Sequence, residues 1–178
     1  MSEEPVGAAG FDPVRFLGTW HIVVTNYAYW RHRAAPTVTY EPLPDRDGRR
    51  AWRDTLRWKK RGLLGGVKDG TLGGVDVELA PARFLWRGDG VLRLIKSPWW
   101  VLLVGEDHDW AVTYFARSNV GTAPGMDIYG RRPDVPVEQM HEILARVRAH
   151  PFLGGRCAGL FATAQDALPH DRYRLEAP

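Results

Sequence analysis

The sequence is short of the residues that build covalent or metal-held sites. Its 178 residues include one cysteine, Cys157, so an internal disulfide and a multi-cysteine zinc site are both excluded. No H-x-x-x-H, C-x-x-C or H-E-x-x-H spacing occurs, and no metal centre of known pattern is expected. Ser97 and Ser118 lack the G-x-S-x-G setting of a hydrolase nucleophile. The glycines between Gly62 and Gly74 are not followed by the Lys-Ser/Thr of a phosphate loop. The longest apolar runs are of strand length, well below the roughly 18 residues of a membrane span. The first ten residues, MSEEPVGAAG, contain neither a basic nor an apolar leader region. With the single cysteine, this points to a soluble cytoplasmic protein. Nothing in these absences calls for a cofactor.

Aromatic rings and turn residues are abundant. Eight tryptophans, six tyrosines and six phenylalanines accompany 19 glycines and 13 prolines. Short β-rich runs recur between turn signals: 19–25, 37–41, 52–59, 67–72, 82–86, 91–95, 99–104, 110–116 and 127–129. The punctuation is Asp47-Gly48, Gly65-Gly66, Gly73-Gly74, Asp89-Gly90, 105–109 and 121–125, with Asp89-Gly90 the sharpest hairpin signal. Residues 135–150 alone read as a helix. Pro136 suits its first turn, and Val137, Met140, Ile143, Leu144 and Val147 form one stripe. Many strands followed by one late helix predict an all-β fold: an eight-stranded antiparallel up-and-down β-barrel with the C-terminal helix packed outside. Residues 1–10 and 171–178 are expected as tails around one domain, 11–170. Such a barrel is wide enough to hold one small ligand.

Residues Phe11–Trp20 then resemble the opening of a lipocalin, where a short turn leads into Gly-x-Trp; Gly18 and Trp20 fit that motif. Pro36–Tyr40 resembles the second strand of bacterial lipocalins. Val101–Thr113, with Asp107-His108 at its turn, loosely matches the second family motif, and Ile128–Pro133 resembles the last barrel strand. The resemblance implies that Trp20 plugs one barrel end with the Arg131 guanidinium across it. It also implies that the first long connection, residues 26–35, forms a lid over the open end.

Alternation along strands nominates the interior. In Ala51–Lys59 one face carries Trp52, Asp54, Leu56 and Trp58, and the other Arg53, Thr55, Arg57 and Lys59. The cations belong in solvent, so Asp54 falls indoors between two tryptophans. There it is salt-bridged or capped, or it acts as a ligand-orienting or acid–base group. Other candidate lining residues are Tyr27, Tyr29, Trp30, Phe84, Trp86, Tyr114, Tyr129, one of Trp99 and Trp100, and the face Trp20-Ile22-Val24; plain core packing is the alternative for each. His108 is expected at a solvated hairpin tip. Residues 46–61 hold eight cations against Asp47 and Asp54. With rings and cations on opposite faces, this is a solvated basic face rather than a nucleic-acid groove. It could make a weak anionic-surface contact through Arg53, Arg57 and Lys59. The sequence favours a carrier for a small, largely apolar molecule. The alternative is a cofactor-free barrel enzyme that cyclises or isomerises a hydrophobic intermediate, with Asp54 as its acid.

Overall fold

The structure is a computed structural model that describes residues 4–62 and 66–165. A single helical turn, α1 (Pro13–Phe16), opens the domain. The Asp12 carboxylate accepts from the Val14 and Arg15 amides, and proline occupies the first turn. Eight strands follow: β1 (Gly18–Thr25), β2 (Ala34–Arg46), β3 (Arg49–Arg61), β4 (Val67–Ala80), β5 (Arg83–Gly88), β6 (Lys96–Val104), β7 (Trp110–Phe115) and β8 (Gly125–Gly130). Each pairs antiparallel with the next, and β1 also pairs with β8, so the sheet closes. A two-residue strand, β9 (Phe161–Ala162), pairs with Val24 and Thr25, beyond the point where β2 leaves β1. Closure removes the free edges of the shared barrel section, while residues 67–72 of β4 pair with β3 alone.

The period-two pattern sorts the side chains into two cores. One lies inside the barrel and includes Trp20, Ile22, Val38, Tyr40, Trp52, Phe84, Trp99 and Tyr129. The other lies between the barrel wall and α2 (Val137–Ala149), and holds Trp100, Leu102, Val112, Met126 and Ile128 against Ile143, Leu144 and Val147. Burying each of those three helix side chains contributes roughly 1.5–3 kcal/mol. Val137, expected on the buried stripe, is 64% exposed at the start of the helix.

Several local expectations are corrected. Gly73-Gly74 is not a turn, because β4 runs straight through it. Residues 91–95 are not a strand. Gly90 takes φ +53° and the Leu92 amide returns to the Asp89 carbonyl at 2.8 Å, curling the chain into a 3₁₀ turn, Gly90–Leu92. Asp89-Gly90 therefore opens a seven-residue connection, whereas Asp47-Gly48 makes the two-residue hairpin turn, with φ +51° and +71°. Residues 4–10, expected as a tail, lie against the barrel. The Ala8 amide donates to the Val101 carbonyl at 2.8 Å, and Glu4 pairs with Arg83 at 2.9 Å. The expected tail 171–178 lies outside the described residues.

Candidate functional site

The closed end of the barrel is solid. Trp20 donates its indole N–H to the Phe16 carbonyl at 2.8 Å. The Arg131 guanidinium lies 3.6 Å from the centroid of the Trp20 ring and donates to the carbonyls of Thr19, His108 and Arg15. Gly18 has φ +94°, and a Cβ there would sit 3.4 Å from the Arg131 guanidinium, so the Gly-x-Trp entry requires glycine. His108 is not a solvated tip. It is buried, adopts φ +54°, and its Nε2 accepts the Asp12 amide at 3.1 Å. It thus ties α1 to the β6–β7 turn. Phe16 stacks on Trp52, Trp52 packs 4.6 Å from Phe84, and Phe84 stacks 4.6 Å from Trp99. Trp52 and Phe84 belong to this plug and do not line a cavity, which corrects their nomination.

Above the plug the barrel is hollow. A cavity of about 380 Å³ is lined by Tyr27, Tyr29, Trp30, Leu56, Trp58, Trp86, Trp99 and Tyr129 from the expected set, with Asp54. Trp99 faces in and Trp100 faces α2, as the alternation required. Tyr114 does not line the cavity. It packs outside the wall, 4.8 Å from Phe152, because the odd positions of β7, Thr113 and Phe115, are the inward ones. Val24 is also outside, since a bulge between Ile22 and Val24 turns it away while Thr25 faces in; Ile22 packs in the inner core but does not line the cavity.

Glycine makes the room. Inward positions 70, 72, 74 and 76 of β4 alternate glycine with larger residues. A Cβ on Gly70 would fall 2.3 Å from the Trp58 indole, and one on Gly74 would fall 2.3 Å from the Trp86 indole. Each indole therefore lies flat over a glycine of the wall. At the mouth, the connection after β1 forms a 3₁₀ turn, Ala28–His32. Tyr27 stacks on Tyr29, Tyr29 meets Trp30 and Trp58 edge to face, and the Arg33 guanidinium lies 3.4 Å from the Tyr29 ring centroid. His32 and Arg31 are exposed.

Between plug and mouth runs a polar belt. Asp54 is 6% exposed, and its Oδ1 has no hydrogen-bond partner among the described residues. Its register partner Tyr40 faces Tyr129 with the two hydroxyls 3.3 Å apart. Tyr129 shares a face of β8 with Asp127, which accepts the Thr25 hydroxyl at 2.6 Å. Also on the inward face, toward the plug, Asp76 accepts the Trp99 indole N–H at 2.7 Å. Burial raises all three carboxyls. It lifts Asp127 to about 7 against the Thr25 hydrogen bond, and Asp76 to about 7 against that of Trp99. Asp54 stands well above the usual carboxylate range, through burial first and the neighbouring Asp76 second. Tyr40 and Tyr129 are also pushed up by burial and stay neutral.

Asp127, Tyr40, Asp76, Thr113 and Phe115 were not singled out from the sequence. Asp127 lies two residues from Tyr129 and so shares its face, which was a usable signal. Asp76 was masked by reading Gly73-Gly74 as a turn. On the outer face Arg53 pairs with Asp89 and Lys59 with Asp69 at 3.1 Å, and at the end of the strands, in line with the inward positions, Arg50 pairs with Glu78 at 2.5 Å, so part of the basic run is neutralised. Among the described residues no group of acidic, histidine and cysteine side chains could hold a metal, and no helix is long and apolar enough to cross a membrane.

Solved structures match this architecture. Lobster apocrustacyanin A1 superposes with a TM-score of 0.57 at 13% identity, over 88% of this chain and 81% of that one. H1 crustacyanin from the lobster Homarus americanus gives 0.55 at 13%, over 84% and 77%. The siderocalin Ex-FABP gives 0.51 at 15%, over 86% and 95%. The fold is that of the lipocalins. No protein-family model matches the sequence, and no curated protein matches it. At these identities the likeness to lipocalins concerns the backbone path, and the side chains of the cavity are this chain's own.

Proposed function

We propose that this protein binds one small, largely apolar molecule inside the barrel. The observation that carries this reading is the cavity of about 380 Å³ walled by indole and phenol rings above a fully packed plug. That volume suits a small organic ligand. Removal of its apolar surface from water supplies roughly 25 cal/mol per Å². The fold neighbours support the reading, and one of them, the siderocalin Ex-FABP, functions through dual ligand specificities. The segments around Trp20, Tyr40 and Tyr129 favour kinship with the bacterial lipocalins, and the lone Cys157 favours residence in the cytoplasm. Native mass spectrometry of the purified protein should reveal a retained compound or, after its removal, one saturable site for N-phenyl-1-naphthylamine. Leu72→Trp, which fills the cavity, should abolish that site. A protein that retains nothing and never saturates with the dye would refute the reading.

A second reading has its own observation: an acid of raised pKa, Asp54, facing the cavity from an apolar wall. In its protonated form it could donate to a charge developing on a confined substrate, as a cofactor-free cyclase or isomerase requires. Asp54→Asn would then abolish conversion of the retained compound while leaving its binding intact, whereas in a carrier only affinity changes.

A further inference from the structure

The cavity has a one-sided charge inventory. Its lining includes two carboxyls, Asp54 and Asp127, and no lysine, arginine or histidine among the described residues, in a chain whose formal net charge is +3. Among the described residues Asp127 has one side-chain partner, the Thr25 hydroxyl, and Asp54 has a buried oxygen with no partner. A carboxyl left unpaired indoors is costly unless something completes it. The groups facing Asp54 do not complete it. Tyr40 and Tyr129 are turned toward each other from β2 and β8. Asp76 on β4 adds a like charge. Asp89, in the β5–β6 connection, is itself paired with the guanidinium of Arg53, which projects from the outer face of β3. At the mouth, Arg33 lies over Tyr29 and donates to the Tyr29 carbonyl. Trp58, Trp86, Trp99, Tyr27, Tyr29 and Trp30 line the same chamber as Asp54. Electron-rich ring faces attract a cation, and the indole N–H groups of Trp58 and Trp86, without a partner among the described residues, remain for an acceptor on the same molecule.

We propose that the molecule held in the barrel carries a protonated amine, which docks on Asp54 within the polar belt while its apolar body fills the ring-lined chamber. This rests on the small-molecule reading above and names the chemical class of the ligand. The chamber suits a primary or secondary ammonium on an aromatic or polycyclic frame. Asp54 gives up its proton as the ammonium arrives, so binding exchanges a proton for the ligand's charge. Asp127 is the second anchor available to a ligand with two basic nitrogens.

The test uses the full chain and three probes with the same ring: 1-naphthylmethylamine, 1-naphthalenemethanol and 1-naphthoate. Binding is read by tryptophan quenching and by calorimetry in two buffers of different ionisation heat. The expected result is at least a tenfold preference for the ammonium over the alcohol, with the carboxylate weakest and with protons released on ammonium binding. The ammonium's affinity should rise with pH, because a raised Asp54 must be deprotonated to receive it; the alcohol's affinity should not. Asp54→Asn should lower the ammonium's affinity at least tenfold and so erase its preference over the alcohol. Should that variant fail to fold, the proton release and pH dependence of the native protein decide the matter. Equal binding of alcohol and ammonium, or a preference for naphthoate, overturns the amine assignment and leaves the small-molecule reading standing. Saturable binding by none of the three overturns both.

Discussion

At the scale of the residue, the belt of buried carboxyls governs how stability depends on pH. Asp127 titrates at about 7 in the fold, against roughly 3.9 in an unfolded chain. Between those values the folded protein keeps a proton that the unfolded chain has released. Its stabilisation is therefore complete below about pH 4 and is lost as the pH rises through about 7. A rise from 3.8 to about 7 corresponds to about 4 kcal/mol. Asp76 acts over the same window, and Asp54 acts in the same direction. Urea denaturation of the ligand-free protein should show clearly lower stability at pH 8 than at pH 5, and Asp127→Asn should flatten the slope. A flat profile in the native protein would show that the carboxyls are solvated. Arg131 makes a second residue-scale prediction. Its cation–π contact with Trp20 and its three carbonyl partners together make Arg131→Ala cost about 2–4 kcal/mol. Arg131→Lys should recover only part of this, because an ammonium lacks the flat fork. Denaturation midpoints measure both.

At the scale of the element, β4 carries the unusual design. Its glycines are strand residues that let two indoles lie against the backbone, leaving the space above them to the cavity. Gly70→Ala and Gly74→Ala should each cost about 1–3 kcal/mol by overpacking and push an indole into the chamber. Near-UV circular dichroism should change, and naphthyl probes should bind more weakly. Gly73→Ala is the control on the outer face, where the nearest atom to a Cβ is the exposed Asp89 carboxylate at 3.0 Å. The helix gives the opposite separation. Ile143→Ala should destabilise the protein by about 2–4 kcal/mol without altering probe affinity, since the α2 core is divided from the cavity by the barrel wall.

At the scale of the whole molecule, plug, belt and mouth divide the labour of one barrel. The plug supplies stability, and the chamber above it leaves apolar surface unburied until a guest arrives. A ligand at one hundred times its dissociation constant should raise the unfolding free energy by about 2.7 kcal/mol, growing with the logarithm of its concentration. Thermal melts against probe concentration check this, and a melting temperature insensitive to a saturating probe would contradict it. The sheet-closing topology also explains what was legible beforehand. Strand alternation on β3 correctly placed Asp54, Leu56 and Trp58 inside, because residues 51–59 carry their cations on one face only and so have one soluble register. On β7 both faces are apolar, one against the cavity and one against α2, so alternation had no sign and Tyr114 was assigned to the wrong side.

The lipocalin resemblance implied the Gly-x-Trp plug with its arginine. Local chemistry in the chain determined the closed sheet, the helix on its flank and the acid between tryptophans. Those features depend on neighbours in sequence: alternation, turn dipeptides and the preference of long cations for water. Which rings seal the floor and which wall the chamber was decided only by the tertiary structure. That depends on height along the barrel axis, set by the register between strands distant in sequence. The pairing of Tyr40 with Tyr129, and the gathering of Asp54, Asp76 and Asp127 into one buried belt, arise from the same registers.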